Sequence, residues 1–309
     1  MELPHQIKPV ILLAGPTASG KSQLAIDLAK RINGEVINAD ALQVYSDLSV
    51  ISARPRDNEM QGVVHHMFGH IDGGHRYSTG QWLREASEVI LDVLARGRIP
   101  IVVGGTGLYF KALTQGLANV PAVDMARTQE FLDKNGIAAL RELAESLDPI
   151  ATARVLGNDP QRLLRIASVA QQTGASLSQW QANTHPVVPR GYWHGAILLP
   201  PRDVLYSRIN ARFETMVQGG GLREVKALAA RRLPMDLPVM RAIGVKTLVQ
   251  YLAGEHSLEA GIELAKRDTR RFAKRQMTWL RGQTPDWPKL ETKSDIDRFI
   301  EQMAKQVSA

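Results

Sequence analysis

Eight consecutive residues, Gly15, Pro16, Thr17, Ala18, Ser19, Gly20, Lys21 and Ser22, fit the pattern G-x-x-x-x-G-K-[ST]. The apolar run VILLA at 10–14 precedes them, and Leu24, Ala25, Leu28, Ala29 and Ile32 follow at helical spacing. A strand that turns into a helix through such a loop is a diphosphate cradle. Glycines let the backbone curl, so that successive N–H groups converge on phosphate oxygens at the positive end of the helix. Lys21 is placed to bridge two phosphates, and the Ser22 hydroxyl to ligate Mg²⁺. The motif is silent on what the phosphates carry.

Most proteins with this loop act on the γ-phosphate of a nucleotide, and a second carboxylate on a neighbouring strand helps hold the magnesium. The strand expected to supply it, IPIVV at 99–103, runs into Gly104, Gly105 and Thr106 without an acid. The loop is therefore read as holding a leaving pyrophosphate. Asp40 stands just past another short apolar run, in NADALQVY at 38–45. A lone loop aspartate more often caps a turn. In open α/β sheets, however, the carboxyl ends of the strands share one crevice with the phosphate loop. There Asp40 can take a proton from a nucleophile attacking the carbon that bears the diphosphate. Thr106, at the end of its own strand, can bridge Asp40 and the diphosphate oxygens through its hydroxyl.

A second chemical feature lies near the C-terminus. Lys266, Arg267, Arg270, Arg271, Lys274, Arg275 and Arg281 crowd one predicted helix against a single acid, Asp268, and hold most of the chain's net charge of +7. Arg267, Arg270, Arg271 and Lys274 share one face, while Ala265, Phe272 and Trp279 recur every seven on another. That pattern packs one side on the body and presents cations to a polyanion on the other. No exposed aromatic or leucine stripe accompanies the charge, which sets a membrane surface aside. His65, His66, His70 and His75 lie close together, but without thiolates or a third ligand at metal-site spacing they read as turn and packing residues.

Strand and helix signals alternate through the first part of the chain. A short apolar run at 36–38 ends near Asp40, a turn-rich stretch covers 46–75, and Ser78 reads as the N-cap of a helix carrying Trp82, Leu83, Ala86, Val89, Ile90, Val93 and Leu94. Strands separated by helices imply a parallel sheet covered on both faces. From 121 to 189 only helical patterns occur, at 127–134, 137–147, 149–156 and 160–172, before a strand resumes at 193–199. The expected architecture is α/β: a P-loop-type parallel sheet flanked by helices, with an inserted all-helical lobe on two hinges. Its boundaries fall at 1–120 for the first part of the catalytic core, 121–190 for the lobe and 191–309 for the second part. The last part reads as nearly all helix from 202 to 281, broken at 219–221, 234–238 and Gly254.

At 309 residues, with 44% hydrophobic and 22% charged residues, the chain has globular composition. It has no cysteine, which excludes disulfides, thiolate metal sites and a cysteine nucleophile. The opening MELPHQIKPVILLAG has neither the charged start nor the long apolar run of a leader, so a cytoplasmic monomer is the default expectation.

Taken in order, these motifs resemble the tRNA dimethylallyltransferase (tRNA isopentenyltransferase) family. The matching stretches are GPTASGKS (15–22), DALQVY (40–45), SARP (52–55), HH (65–66), GGTGLYFKAL (104–113), NDPQRLLR (158–165), RINARF (208–213), GLREV (221–225), RAIGVK (241–246) and KRQMTWLRG (274–282). The resemblance implies transfer of a dimethylallyl group from dimethylallyl diphosphate to N6 of adenosine-37 in tRNA. It makes Asp40 the general base, lets Thr106 orient the reactants and puts Arg212 on the leaving-group oxygens. Gly15, Thr17, Ala18, Ser19, Gly20, Lys21 and Ser22 would hold the diphosphate, with Mg²⁺ near Ser22. The tRNA contacts carried over are Asp40, Ala41, Leu42, Gln43, Gln161, Arg162, Leu163, Leu164, Arg165, Arg241, Lys246, Lys274, Arg275, Gln276, Trp279 and Arg281. The lobe would clasp the anticodon stem.

The chemistry agrees with that implication. An adenine amino group is a poor nucleophile, and a placed base with a well-held leaving group supplies what it lacks. The target base must leave its stack, and a dry channel protects the allylic centre from water. Departures from the family are Ala41 for the usual Ser, Ile51-Ser52-Ala53-Arg54-Pro55 for G-T-A-K-P, Val245 for a common Tyr, and Gln81 where an acid often precedes Trp82. None removes a proposed catalytic group. Two other readings stay open: an adenylate isopentenyltransferase acting on a free nucleotide, which would need neither lobe nor basic helix, and a P-loop kinase or ATPase, against which the missing carboxylate weighs.

Overall fold

Val10–Ala14 offers water no polar side chain and forms strand β1, buried at every position. The computed structural model of the chain describes residues 8–308. After β1 come α1 (Lys21–Ile32), β2 (Gly34–Asn38), α2 (Asp57–Met60), β3 (His65–His66), α3 (Thr79–Ala95), β4 (Ile99–Gly104) and α4 (Gly107–Gln115). Four helices follow: α5 (Ala126–Leu147), α6 (Pro149–Ala153), α7 (Pro160–Thr173) and α8 (Leu177–Ala182). The chain then runs through β5 (Trp193–Leu198), α9 (Arg202–Met216), α10 (Leu222–Ala230), α11 (Val245–Leu252), α12 (Leu258–Gln283), β6 (Lys289–Leu290) and α13 (Lys293–Ser308).

The strands form one sheet in the order β3-β2-β4-β1-β5-β6, and every pairing is parallel. Side chains on a strand alternate faces, so β1 feeds two cores. Val10, Leu12 and Ala14 join Trp82, Phe110 and the apolar sides of α9 to α12, while Ile11 and Leu13 meet Leu24, Leu28 and Phe299 on the other side. This is the α/β fold, with helices on both faces, that the sequence implies. Ser78 caps α3 as its type predicts, accepting from the Gln81 N–H while the Gln81 side chain reaches back to the Ser78 N–H. Among the described residues no helix is long and apolar enough to cross a membrane.

Residues 115–187 make a compact unit of their own, distinct from 1–114 with 188–309. Leu140, Ala144, Val155, Leu163, Ile166 and Ala167 form its core. No strand occurs among its described residues. The two helical patterns at 127–134 and 137–147 merge into α5, which bends at Gly136 where φ is 81°. Asp148 fastens the far end: one carboxylate oxygen accepts the Ala151 N–H at 2.9 Å and the other the Ser178 N–H at 2.8 Å. α6 stops at Ala153, short of the expected 156, because Gly157 at φ 61° and the cap Asp159 with Pro160 turn the chain into α7.

Candidate active site

Parallel register decides where the site forms. Ala14 of β1 lies beside Gly104 of β4, and Asn38 of β2 beside Val103, so the chain leaves all three strands at one edge. The Asp40 turn is fixed there from several sides. Asn38 accepts the Asp40 N–H at 2.9 Å and donates its amide to the Asp40 and Met67 carbonyls. The indole N–H of Trp82 donates to the Asn38 carbonyl at 2.8 Å, and its ring stacks on Tyr109. One Asp40 carboxylate oxygen accepts the Leu42 N–H at 2.9 Å; the other has no hydrogen-bond partner among the described residues. Thr106 does not bond the Asp40 side chain. Its oxygen accepts the Ala41 N–H at 3.0 Å, leaving the hydroxyl hydrogen to donate. Thus Ala41, despite its missing hydroxyl, ties the two segments through its main chain.

In the phosphate loop, Ala18 and Gly20 adopt left-handed φ of 63° and 97°; the Thr17 and Ser19 N–H groups are bonded to Gln276 and the Pro16 carbonyl, while those of Ala18 and Gly20 have no partner among the described residues. Two arginines one turn apart on α9 grip the same loop. Arg208 donates to the Ser19 carbonyl at 3.2 Å, and Arg212 donates to the Thr17 hydroxyl. Lys21 donates to the Pro16 carbonyl at 3.3 Å. Burial of its ammonium lowers the Lys21 pKa to about 8, with Asp40 pulling it up and Arg212 pushing it further down. Burial also lowers Arg212, against the opposing pull of Asp40. The carboxylate and the two cations therefore share one field. The buried Ser19 hydroxyl has no partner among the described residues, a state that points to a ligand oxygen. Ser22 is exposed in the first turn of α1, where a single hydroxyl plus phosphate oxygens and water make a donor set that fits Mg²⁺.

Asp40, Thr106, Thr17 and Arg212 line one cavity of about 100 Å³. Ile51, Ile209, Phe213, Met216 and Phe272 supply its apolar wall, and Asp40 is its sole carboxylate among the described residues. Such a cavity suits a short hydrocarbon whose charged end lies at Thr17 and Arg212.

The expected RNA contacts divide. Gln161, Arg162, Arg241, Lys246, Lys274, Arg275 and Arg281 are exposed, Arg165 is half-buried, and Lys274, Arg275 and Arg281 have no ion-pair partner among the described residues. Leu42 lines the cavity. Gln43 spends its amide on the Ser52 and Ala53 carbonyls, and Trp279 lies over Gly107, where a Cβ would strike its ring. Three expectations need correction. Leu163 and Leu164 turn into the core of the helical unit, at 0% and 6% exposure, because α7 must bury a face. Gln276 is buried against the phosphate loop rather than offered to RNA. On the basic helix Lys266 is also withdrawn, paired with Glu214 and Glu263, and Arg270 donates to Asn210 at 2.6 Å. The clustered histidines have separate partners: His65 meets the Val63 carbonyl, His66 Glu35, His70 Glu85 and His75 Gln81. Arg208 was missed, although its i, i+4 spacing to Arg212 in RINARF is a usable signal.

Comparison with known proteins adds an independent line. Residues 43–283 match the model of a family described as IPP transferase, and residues 8–68 one described as isopentenyl transferase. The chain is 48% identical to a tRNA dimethylallyltransferase of Maricaulis maris, over 92% of this chain and 93% of the relative. With a protein of the same name from a Caulobacter species it is 46% identical, again over 92% and 93%. Among solved structures, the full-length tRNA isopentenylpyrophosphate transferase of Bacillus halodurans superposes with a TM-score of 0.70 at 32% identity, covering 97% of each chain. A eukaryotic dimethylallyltransferase, described as acting on tRNA, gives 0.78 at 29% identity, covering 96% of this chain and 77% of that one.

Proposed function

Because the chain belongs to the IPP transferase family, we propose that it moves a dimethylallyl group from dimethylallyl diphosphate to N6 of adenosine-37 in the anticodon stem-loop of tRNA. The observation that carries this reading is the single cavity in which a half-free carboxylate, Asp40, sits with Arg212, Thr17 and an apolar wall.

The reaction then divides among named groups. Asp40 accepts a proton from the adenine amino group as the new N6–carbon bond forms. The carbon–oxygen bond to the diphosphate breaks, and the leaving pyrophosphate takes the electron pair. Lys21, Arg212 and the loop N–H groups not bonded within the protein stabilise that charge, in a cavity whose apolar wall excludes water. Mg²⁺ bound near Ser22 would supply further charge neutralisation to the leaving group. On the RNA side, Lys274, Arg275 and Arg281 give phosphate contacts, joined by Arg241 and Lys246, while Gln161, Arg162 and Arg165 of the helical unit reach the stem.

The test uses radiolabelled dimethylallyl diphosphate offered with an anticodon stem-loop or with AMP, and a separate incubation with ATP. Label in the stem-loop supports the proposal. Label appearing only in AMP replaces it with the free-nucleotide enzyme, and ATP turnover alone with a kinase or ATPase.

A further inference from the structure

Next to the exposed cations Lys274 and Arg275, α12 carries an uncharged amide, Gln276, that is 7% exposed. A glutamine enclosed to this degree must have its amide satisfied, since an unpaired buried polar group is costly. Both ends are satisfied. Its carbonyl oxygen accepts the Thr17 N–H at 2.9 Å, and its NH₂ donates to the Gly105 carbonyl at 2.9 Å. Thr17 belongs to the loop after β1, and Gly105 to the turn after β4 that carries Thr106. A Cβ on Gly105 would collide with this amide and crowd the Gly15 carbonyl. The space is thus shaped for Gln276. The amide also fits one way round only, because its two partners are a donor and an acceptor. The Thr17 N–H is withdrawn from any ligand, and what Thr17 presents is the hydroxyl bonded to Arg212.

We propose that Gln276 is a positioning residue for the diphosphate. By holding the Thr17 N–H and the Gly105 carbonyl at a fixed separation, it sets the Thr17 hydroxyl and the Arg212 guanidinium where pyrophosphate oxygens lie. It does so from the helix that carries the RNA-facing cations. The inference rests on the transfer reading only in taking the ligand of the loop to be a diphosphate.

The experiment titrates inorganic pyrophosphate with Mg²⁺ calorimetrically into the full-length wild type, Q276A and Q276E, with anticodon stem-loop binding measured alongside. Q276A should weaken pyrophosphate about tenfold, the net worth of one or two hydrogen bonds, while stem-loop affinity stays within about twofold. Q276E gives the readout that mere space-filling would not move. As a carboxylate it faces the Gly105 carbonyl without a donor; protonated, it restores donor and acceptor in their places. Burial raises such a pKa, so its pyrophosphate affinity relative to wild type should recover as pH falls from about 8 to about 5.5. A flat ratio across that range overturns the proposal, as does a Q276A affinity equal to wild type. Where Q276A fails to fold, the isosteric Q276E decides alone. Because pyrophosphate binding is read without prenyl transfer, loss of the transfer reading in the labelled assay and loss of this one are separate results.

Discussion

Asp40 commits one carboxylate oxygen to the Leu42 N–H, and the other has no hydrogen-bond partner among the described residues. Asp40→Asn preserves an acceptor for Leu42, so the turn should survive while the base is lost. Turnover is expected to fall roughly 10²- to 10⁴-fold, with stem-loop affinity in a filter-binding assay near wild type. Equal loss of both would make Asp40 a structural residue. Lys21 poses a pH question. Burial disfavours its charged form, so in the free protein the ammonium is lost as pH rises through about 8 rather than near 10.5. Pyrophosphate affinity should therefore decline above about pH 8, and Lys21→Met should abolish that decline. Calorimetry from pH 7 to 10 checks it; a constant affinity up to pH 10 would contradict it.

At the scale of elements, Glu35 joins two strands and a helix end. It is fully buried on β2, accepts from Arg96 in two bonds and from His66 on β3 at 2.6 Å, and forms an ion pair with Arg98 at 2.9 Å. Hydrogen bonding from Arg96, set against the cost of burial, holds its pKa down to about 2. A carboxylate with a depressed folded pKa stabilises fully above its unfolded value near 4.5, and that contribution is lost as pH falls through about 2. Glu35→Gln is expected to cost about 2 kcal/mol at neutral pH. This is below the 3–5 kcal/mol of fully enclosed pairs, since the arginines can turn to water. Urea midpoints should then change less with pH between about 5 and 2 in the variant than in the wild type. The same residue explains a boundary error in the sequence reading. β2 was expected only over 36–38, because a carboxylate at position 35 looks like the end of a strand until its partners from distant segments are known. β3 escaped notice for a similar reason: two histidines pair at the sheet edge with no apolar pattern. By contrast β1, β4, α1 and α3 follow from apolar runs, glycine stops and one serine cap, all local signals. Gln276 came in with the stretch of tRNA contacts that the family resemblance carries over, and the helical rotation of α12 buries it while Lys274 and Arg275 stay exposed.

For the whole molecule, the excess of positive charge is the property that RNA meets first. The basic helix was legible as a cluster, but which cations remain free was not, since Lys266 and Arg270 are claimed by residues on α9. Lys274→Ala and Arg275→Ala should each weaken stem-loop binding and reduce the slope of log affinity against log salt by about 0.7–0.9. An unchanged slope in both would remove α12 from the RNA site. The parallel sheet and its phosphate loop could be read from one stretch at a time; the cavity could not, because it takes walls from β-strand ends, α9 and α12 together. α12 runs unbroken for 26 residues, a rod of about 39 Å, with the exposed Lys274 and Arg275 and the Gln276 clamp on the same turn. Two ligands that lean on one lever owe each other equal debts: by whatever factor bound RNA alters the grip on pyrophosphate, pyrophosphate alters the grip on RNA by the same factor. After transfer, then, each product changes the other's equilibrium affinity by the same factor, and any fixed order of release has to come from kinetics.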